Sequence, residues 1–328
     1  MLEDIAHFAD WPSHSNEHKR TVPRSLEWTH YHDWPALSLR QGALELLVVP
    51  AVGGRLMGIQ HAGEELAFVN PALAGKIASD DPAAWAALCG EWTFPLWGGG
   101  KTWVAPESRW PDGAPHRDLD SGAYKVVKTW SDEHSMGIEL ESPICSQSGL
   151  QIHRCISLDA TSSTWSTVHR LTNQGSIMRE CGIWEVLMLN RPAHIEIALD
   201  ASVTDLREAV RQIAGKGPIE DICESDIVSF GTRTGEPMLS VECERAIEYK
   251  FGVAHSRGEM RVTLPGRAGP HRYRRVSQID PHATYAHGTP LEVFNAPRLP
   301  YFEIETHAPL ARLKAGEWAS YTIVESVD

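Results

Sequence analysis

The chain has 328 residues, 42% of them hydrophobic and 22% charged, an ordinary globular balance. Its net charge is 30 − 43 = −13, with no long basic cluster, so nucleic acid and anionic membranes are poor partners. With no run of 18 apolar residues, no membrane-spanning helix is expected.

The opening Met1-Leu-Glu-Asp-Ile-Ala-His7 carries early acids and no apolar core, so it does not read as a secretory signal. Short strand candidates follow at Ala43–Pro50, Arg55–His61 and Glu65–Val69, with turns at Val52-Gly-Gly54 and Ala62-Gly-Glu64. Asp81–Leu88 predicts a short helix, with proline near its first turn and an alanine-rich continuation. Five of the twelve tryptophans (85, 92, 97, 103 and 110) fall in the next stretch. They fit either a core built on large rings or a cleft whose indole faces stack on a ring-shaped ligand.

Within that stretch, Gly98-Gly-Gly-Lys-Thr102 imitates a phosphate-binding loop. The match fails, because the first glycine of the pattern would fall on Pro95. Pro106 and Pro111 also stand where a helix would have to run. Trp103-Val-Ala-Pro-Glu-Ser-Arg-Trp110 is too rich in rings and charge for a passive connector. Lys101, Trp103, Glu107, Arg109, Trp110 and His116 are therefore read as a site wall, aromatic with a few placed polar groups.

Further strands are predicted at Ala123–Trp130, Met136–Glu141, Leu150–Leu158, Thr164–Thr172 and Cys181–Leu189. In Thr164–Asn173, His169 shares a face with Trp165, Thr167 and Leu171. It is open to a core role or a catalytic one. Glu185, next to Trp184 and between Ile183 and Leu187, needs a partner if buried, either an arginine or a substrate hydroxyl. Thr204–Ile213 predicts a helix, with Leu206, Val210 and Ile213 at helical spacing. The last strands are Ala246–Val253, Glu259–Leu264, Arg272–Ile279, Leu291–Asn295, Tyr301–Thr306 and Trp318–Glu325. Strands at this spacing argue for an all-β sandwich or barrel. With no linker or repeat, residues 1–328 are read as one domain, with 1–35 an extension packed on it.

Tyr301-Phe-Glu-Ile-Glu-Thr-His307 is the most informative strand. Alternation puts Phe302, Ile304 and Thr306 on one face and Tyr301, Glu303, Glu305 and His307 on the other. That second face is either solvated or a set of groups able to move protons. Six cysteines without a C-x-x-C pair fit reduced thiols in a cytoplasmic protein. His30 and His32 share a spacing but lack a third ligand, so no metal set and no cofactor is expected.

Three segments carry a resemblance. Pro50-Ala-Val-Gly-Gly-Arg-Leu-Met-Gly-Ile59, Leu171-Thr-Asn-Gln-Gly175 and Ile304-Glu-Thr-His-Ala-Pro309 resemble motifs of the galactose mutarotase-like superfamily, which includes the aldose 1-epimerases. The fuller "WGGGKTWVAPESRWP" and "YFEIETHAPLARLKAGEW" look like an uncharacterised bacterial branch. The resemblance implies an antiparallel β-supersandwich with a few short helices. It implies acid/base chemistry on a sugar or sugar-derived ring, by an epimerase, isomerase or lyase, with Glu305 as general base. The family's histidine acid, expected a few residues after Thr172-Asn173, is missing: no histidine follows before His194. His169, His307 or Lys101 are the candidate replacements, and a non-catalytic carbohydrate-binding domain is the alternative. Arg55, Trp184, Glu185 and Glu303 complete the expected substrate-binding set. The expected partner is a small carbohydrate or sugar acid, the acid on the strength of Arg55, Lys101 and Arg109. A homodimer is left open.

Overall fold

The computed structural model describes residues 24–213 and 219–328, so the segment read as a non-secretory N-terminus lies outside the described residues. Five strands, β1 (Arg24–Tyr31), β2 (Trp34–Gln41), β3 (Leu44–Val49), β4 (Arg55–His61) and β5 (Glu64–Glu65), form an antiparallel meander. A helix, α1 (Pro82–Cys89), follows, capped by the Asp81 carboxylate on the Ala84 N–H. Next come β6 (Gly100–Ala105), β7 (Lys125–Ser131), β8 (Ser135–Glu141), β9 (Leu150–Asp159), β10 (Thr164–Asn173), β11 (Arg179–Asn190) and β12 (His194–Leu199). The rest are β13 (Val210–Gln212), β14 (Val228–Arg233), β15 (Glu236–Glu242), β16 (Tyr249–Val253), β17 (Ser256–Leu264), β18 (His271–Ser277), β19 (Leu291–Asn295), β20 (Tyr301–His307), β21 (Ala311–Leu313) and β22 (Trp318–Val327).

These build a ten-stranded sheet in the order β14-β15-β12-β17-β18-β22-β10-β9-β8-β7. A seven-stranded sheet runs β13-β16-β19-β20-β11-β21, with β6 also paired to β11. Side chains from all three sheets meet in one apolar core, including Leu39, Ile156, Leu187, Ile304 and Ile323. The all-β expectation holds, with large antiparallel sheets and only short helices. No helix among the described residues is long and apolar enough to cross a membrane.

Burial separates the two large sheets. On β9 and β10 every second residue is buried and the rest are half-buried or exposed, as expected for one covered face. On β20 all seven residues are buried, although its sequence alternates polar and apolar as if one face met water. The polar face of the seven-stranded sheet is therefore covered by protein.

Three sequence expectations change. The boundary at residue 35 falls inside β2, and residues 24–33 form β1 and its turn, so they belong to the first sheet rather than to an extension. Trp103–Ala105, read as the start of a connector running to Trp110, end a strand over Gly100–Ala105 antiparallel to β11. The Thr204–Ile213 helix shrinks to Leu206–Ala209 with Asp205 as its cap; β-branched Val210 then pairs with Val253 instead of continuing it.

The glycine run earns its place by close approach. Gly98 and Gly99 have φ of 107° and 65°, and a Cβ on them would lie 2.2 Å from the Phe68 carbonyl oxygen and 2.7 Å from that of Leu56. Gly98→Ala should therefore lower unfolding stability by about 2 kcal/mol or more in denaturant titration. A second prediction concerns Glu65, which accepts bonds from the Tyr31 hydroxyl and the Ile59 and Ala67 N–H groups. Burial pushes its carboxyl up to about 7 despite these bonds. The folded state then binds this proton more tightly than the unfolded chain does. Its contribution to stability falls as pH rises from the ordinary carboxylate range to about 7, by up to about 1.4 kcal/mol per pH unit. Melts of wild type and Glu65→Gln at pH 5 and pH 8 should diverge in that sense.

Candidate functional site

Strand register assembles the site. Across the seven-stranded sheet, Trp103 of β6 faces Trp184 of β11, which faces His307 of β20. The neighbouring row runs Lys101, Val186, Glu305, Glu292 and Gly252 across five strands. The next joins Met188, Glu303, Phe294 and Lys250. Alternation gives all three rows the same face.

The charged groups on this face pair with one another. The Lys250 ammonium lies 2.9 Å from Glu305 Oε2 and 3.0 Å from Glu292 Oε2. The Lys101 ammonium is 2.9 Å from Glu303 Oε1 and sits 4.1 Å over the Trp103 ring. The Trp184 indole N–H donates to Glu305 Oε2 at 2.8 Å, and Lys250 lies 4.7 Å above that ring. His307 stacks on Trp184 at 5.0 Å, and the His287 ring meets the same indole edge-on at 5.1 Å. Glu292 Oε1 is 2.5 Å from His287 Nδ1 and 3.0 Å from His307 Nε2. Trp110 covers the set, stacked on Trp184 and edge-on to Trp103.

Burial sets the electrostatics. It pushes the Glu305 carboxyl up to about 8, with Lys250 pulling against it and Glu292 and Glu303 adding to it. For Lys250 burial works downward, but Glu305 and Glu292 outweigh it and hold the ammonium well above its ordinary value. Glu292 is likewise desolvated, yet Lys250 and His307 keep it well below the usual carboxylate range. Burial lowers His307, against the opposing pull of Glu292.

The sequence-derived site residues divide among several places. Glu305, His307, Glu303, Lys101, Trp103 and Trp184 share the one face, with Trp110 above it. His169 and Glu185 lie on the opposite face, inside the sandwich, with His169 Nε2 3.2 Å from Glu185 Oε2. Burial would raise Glu185, but His169, Arg154 and Arg275 beside it hold it at about 2. His169 therefore does not stand across a shared substrate from Glu305, and Glu185 is a partnered core carboxylate. Arg55 is fully buried as a brace, donating to Asp120 Oδ1 at 2.8 Å and to the Gly98 carbonyl. Asp120 also accepts from the Trp103 indole at 2.7 Å, which fixes that ring.

Glu107 is exposed on a 3-10 turn, and Arg109 bonds Glu180 in an exposed ion pair. Arg109, Trp110 and His116 line a cavity of about 300 Å³ beside Cys181 and Ser148, and Glu305 is not in its wall. Trp110 thus belongs both to the aromatic stack and to the cavity. Of the other tryptophans, Trp97 is core, Trp92 is exposed and Trp85 lies under Arg117. All six cysteines are free and buried or half-buried.

Sequence reasoning missed Lys250, Glu292 and His287. Lys250 and Glu292 carry the signal that singled out Glu185, a charge set between apolar neighbours on a strand (Tyr249-Lys-Phe and Leu291-Glu-Val). His287 lies in a loop, where no periodicity could place it.

No family model matches the chain, and no curated protein matches it in sequence. Solved structures do match over most of its length. A galactose mutarotase-like protein from Clostridium acetobutylicum is 11% identical, covering 93% of this chain and 98% of its own, with a TM-score of 0.57. A candidate aldose 1-epimerase from Klebsiella pneumoniae is 12% identical over 89% of this chain and 79% of its own, with a TM-score of 0.57. Another, from Escherichia coli, is 14% identical over 89% and 98%, with a TM-score of 0.53. At these identities the likeness establishes the fold alone: the chain has the galactose mutarotase-like β-sandwich fold.

Proposed function

We propose that this protein is a carbohydrate-active isomerase of the aldose 1-epimerase kind, working on a neutral sugar ring. The observation that carries the reading is Glu305, a fully buried carboxyl bonded to Trp184 and Lys250 on the aromatic-walled face of this fold. In the reaction Glu305 removes the proton of the anomeric hydroxyl, and the bond from the anomeric carbon to the ring oxygen breaks. Lys250 supplies a proton to that oxygen. After the aldehyde turns its other face, Lys250 takes back the proton of the ring oxygen, that oxygen re-forms its bond to the carbonyl carbon, and Glu305 returns its proton to the anomeric oxygen, so the other anomer forms and both groups are restored. Flat indoles suit the apolar faces of a sugar ring, and Trp110 is the ring whose displacement opens the stack toward the cavity.

A neutral ligand fits better than a sugar acid. The cations that suggested an anionic substrate are each paired with a carboxylate: Arg55 with Asp120, Lys101 with Glu303, Arg109 with Glu180. A second reading, carbohydrate binding without catalysis, is favoured by the closure of the face, since Glu305 has no exposed surface.

Anomer exchange followed by polarimetry or NMR across a neutral sugar panel, with tryptophan quenching in parallel, separates the two. Glu305→Gln should lower exchange by about 10²-fold or more while leaving the far-UV spectrum unchanged. Full activity in this variant would remove Glu305 from the mechanism, and quenching without exchange in wild type would support binding alone. Lys250→Met leaves Glu292 and Glu305 without their shared cation and should destabilise the fold by about 3–5 kcal/mol in denaturant titration.

A further inference from the structure

We propose that His287, Glu292 and His307 form a binding site for a divalent transition-metal ion. One ligand atom from each residue lies within 4.8 Å of the other two, and two imidazoles with one carboxylate are a donor set suited to zinc or iron(II). Ligand atoms that share an ion at about 2.1 Å stand roughly 3.0–3.4 Å apart. The 3.0 Å from Glu292 Oε1 to His307 Nε2 meets this, and the 2.5 Å to His287 Nδ1 has to open by about half an ångström.

Two observations point to an ion rather than to hydrogen bonding alone. His307 is fully buried with Glu292 Oε1 3.0 Å from its Nε2 as the one polar partner and none at Nδ1, an arrangement that costs free energy unless something else fills it. Glu292 is held from behind, its second oxygen 3.0 Å from the Lys250 ammonium, as the outer partner of a ligating carboxylate would be. Lys250 opposes the ion as a like charge, which the Glu292 carboxylate between them offsets.

Access runs past His287, whose side chain is 12% exposed while Glu292 and His307 are sealed. Three protein ligands leave a position for water or a hydroxyl oxygen. Under the sugar reading above, on which only this last point rests, the ion would polarise a sugar oxygen beside the proton that Lys250 supplies.

The test uses the full chain, stripped with chelator and titrated with Zn²⁺ and Co²⁺ by calorimetry, with metal analysis after dialysis. One ion per chain is expected, with Co²⁺ giving the absorption bands of a nitrogen- and oxygen-ligated low-coordinate site. His287→Ala and His307→Ala should each weaken binding by at least about tenfold. His287→Ala, at the edge of the cluster, is the variant expected to keep the fold, checked by circular dichroism. His194→Ala, which removes an exposed histidine paired with Glu242, should bind as wild type does. Absence of a bound ion in wild type overturns the site, as does unchanged affinity in the folded His287→Ala variant. No sugar enters the measurement, so failure of anomer exchange and failure of ion binding are told apart.

Discussion

Three carboxylates buried on one face of one sheet set the terms for the rest of this structure. A single desolvated carboxylate costs several kcal/mol, so Glu292 and Glu303 depend on cations at contact distance, and Glu305 on a cation and on a tighter hold of its proton. Lys250 bridges two of the three and Lys101 holds the third. These contacts demand correct register across five strands, since a slip of one residue would send every charge to the apolar side. Pairing of β6, β11, β20, β19 and β16 is therefore a condition of the site as much as of the sheet.

The support around the face follows from the same demand. Trp103 and Trp184 exclude water, and each has its indole N–H satisfied by a carboxylate, Asp120 for one and Glu305 for the other. Asp120 is steadied by Arg55 and by the Ser121 hydroxyl, which in turn accepts from Trp97. The glycine run sits beneath this network. Its left-handed residues press the start of β6 against the backbones of Phe68 and Leu56, which puts Lys101 in line with Glu303. What looks like a phosphate loop is a close-packed strand entry.

Two regions meet at Trp110. On one side lies the closed Glu–Lys–His cluster, and on the other an open cavity walled by Arg109, His116 and Arg179. The segment from Pro106 to Gly113 that carries Trp110 consists of two short 3-10 turns, and the Trp110 indole N–H donates to the Val104 carbonyl at 2.7 Å.

The two faces of β20 were legible in the sequence, because strand periodicity depends only on local geometry: Glu303, Glu305 and His307 fall together as alternation requires. The α1 helix, the short β-strands and the failure of the phosphate-loop pattern were legible for the same reason. Burial was not, for a polar stripe reads identically whether water or a loop covers it. Nor could a single strand reveal that Lys250 and Glu292, far apart along the chain from Lys101, would complete its charges, or that His169 would face inward toward Glu185. The sequence by itself determined which residues share a face. Only the tertiary structure decided which faces meet, because strand pairing joins residues that no local pattern connects.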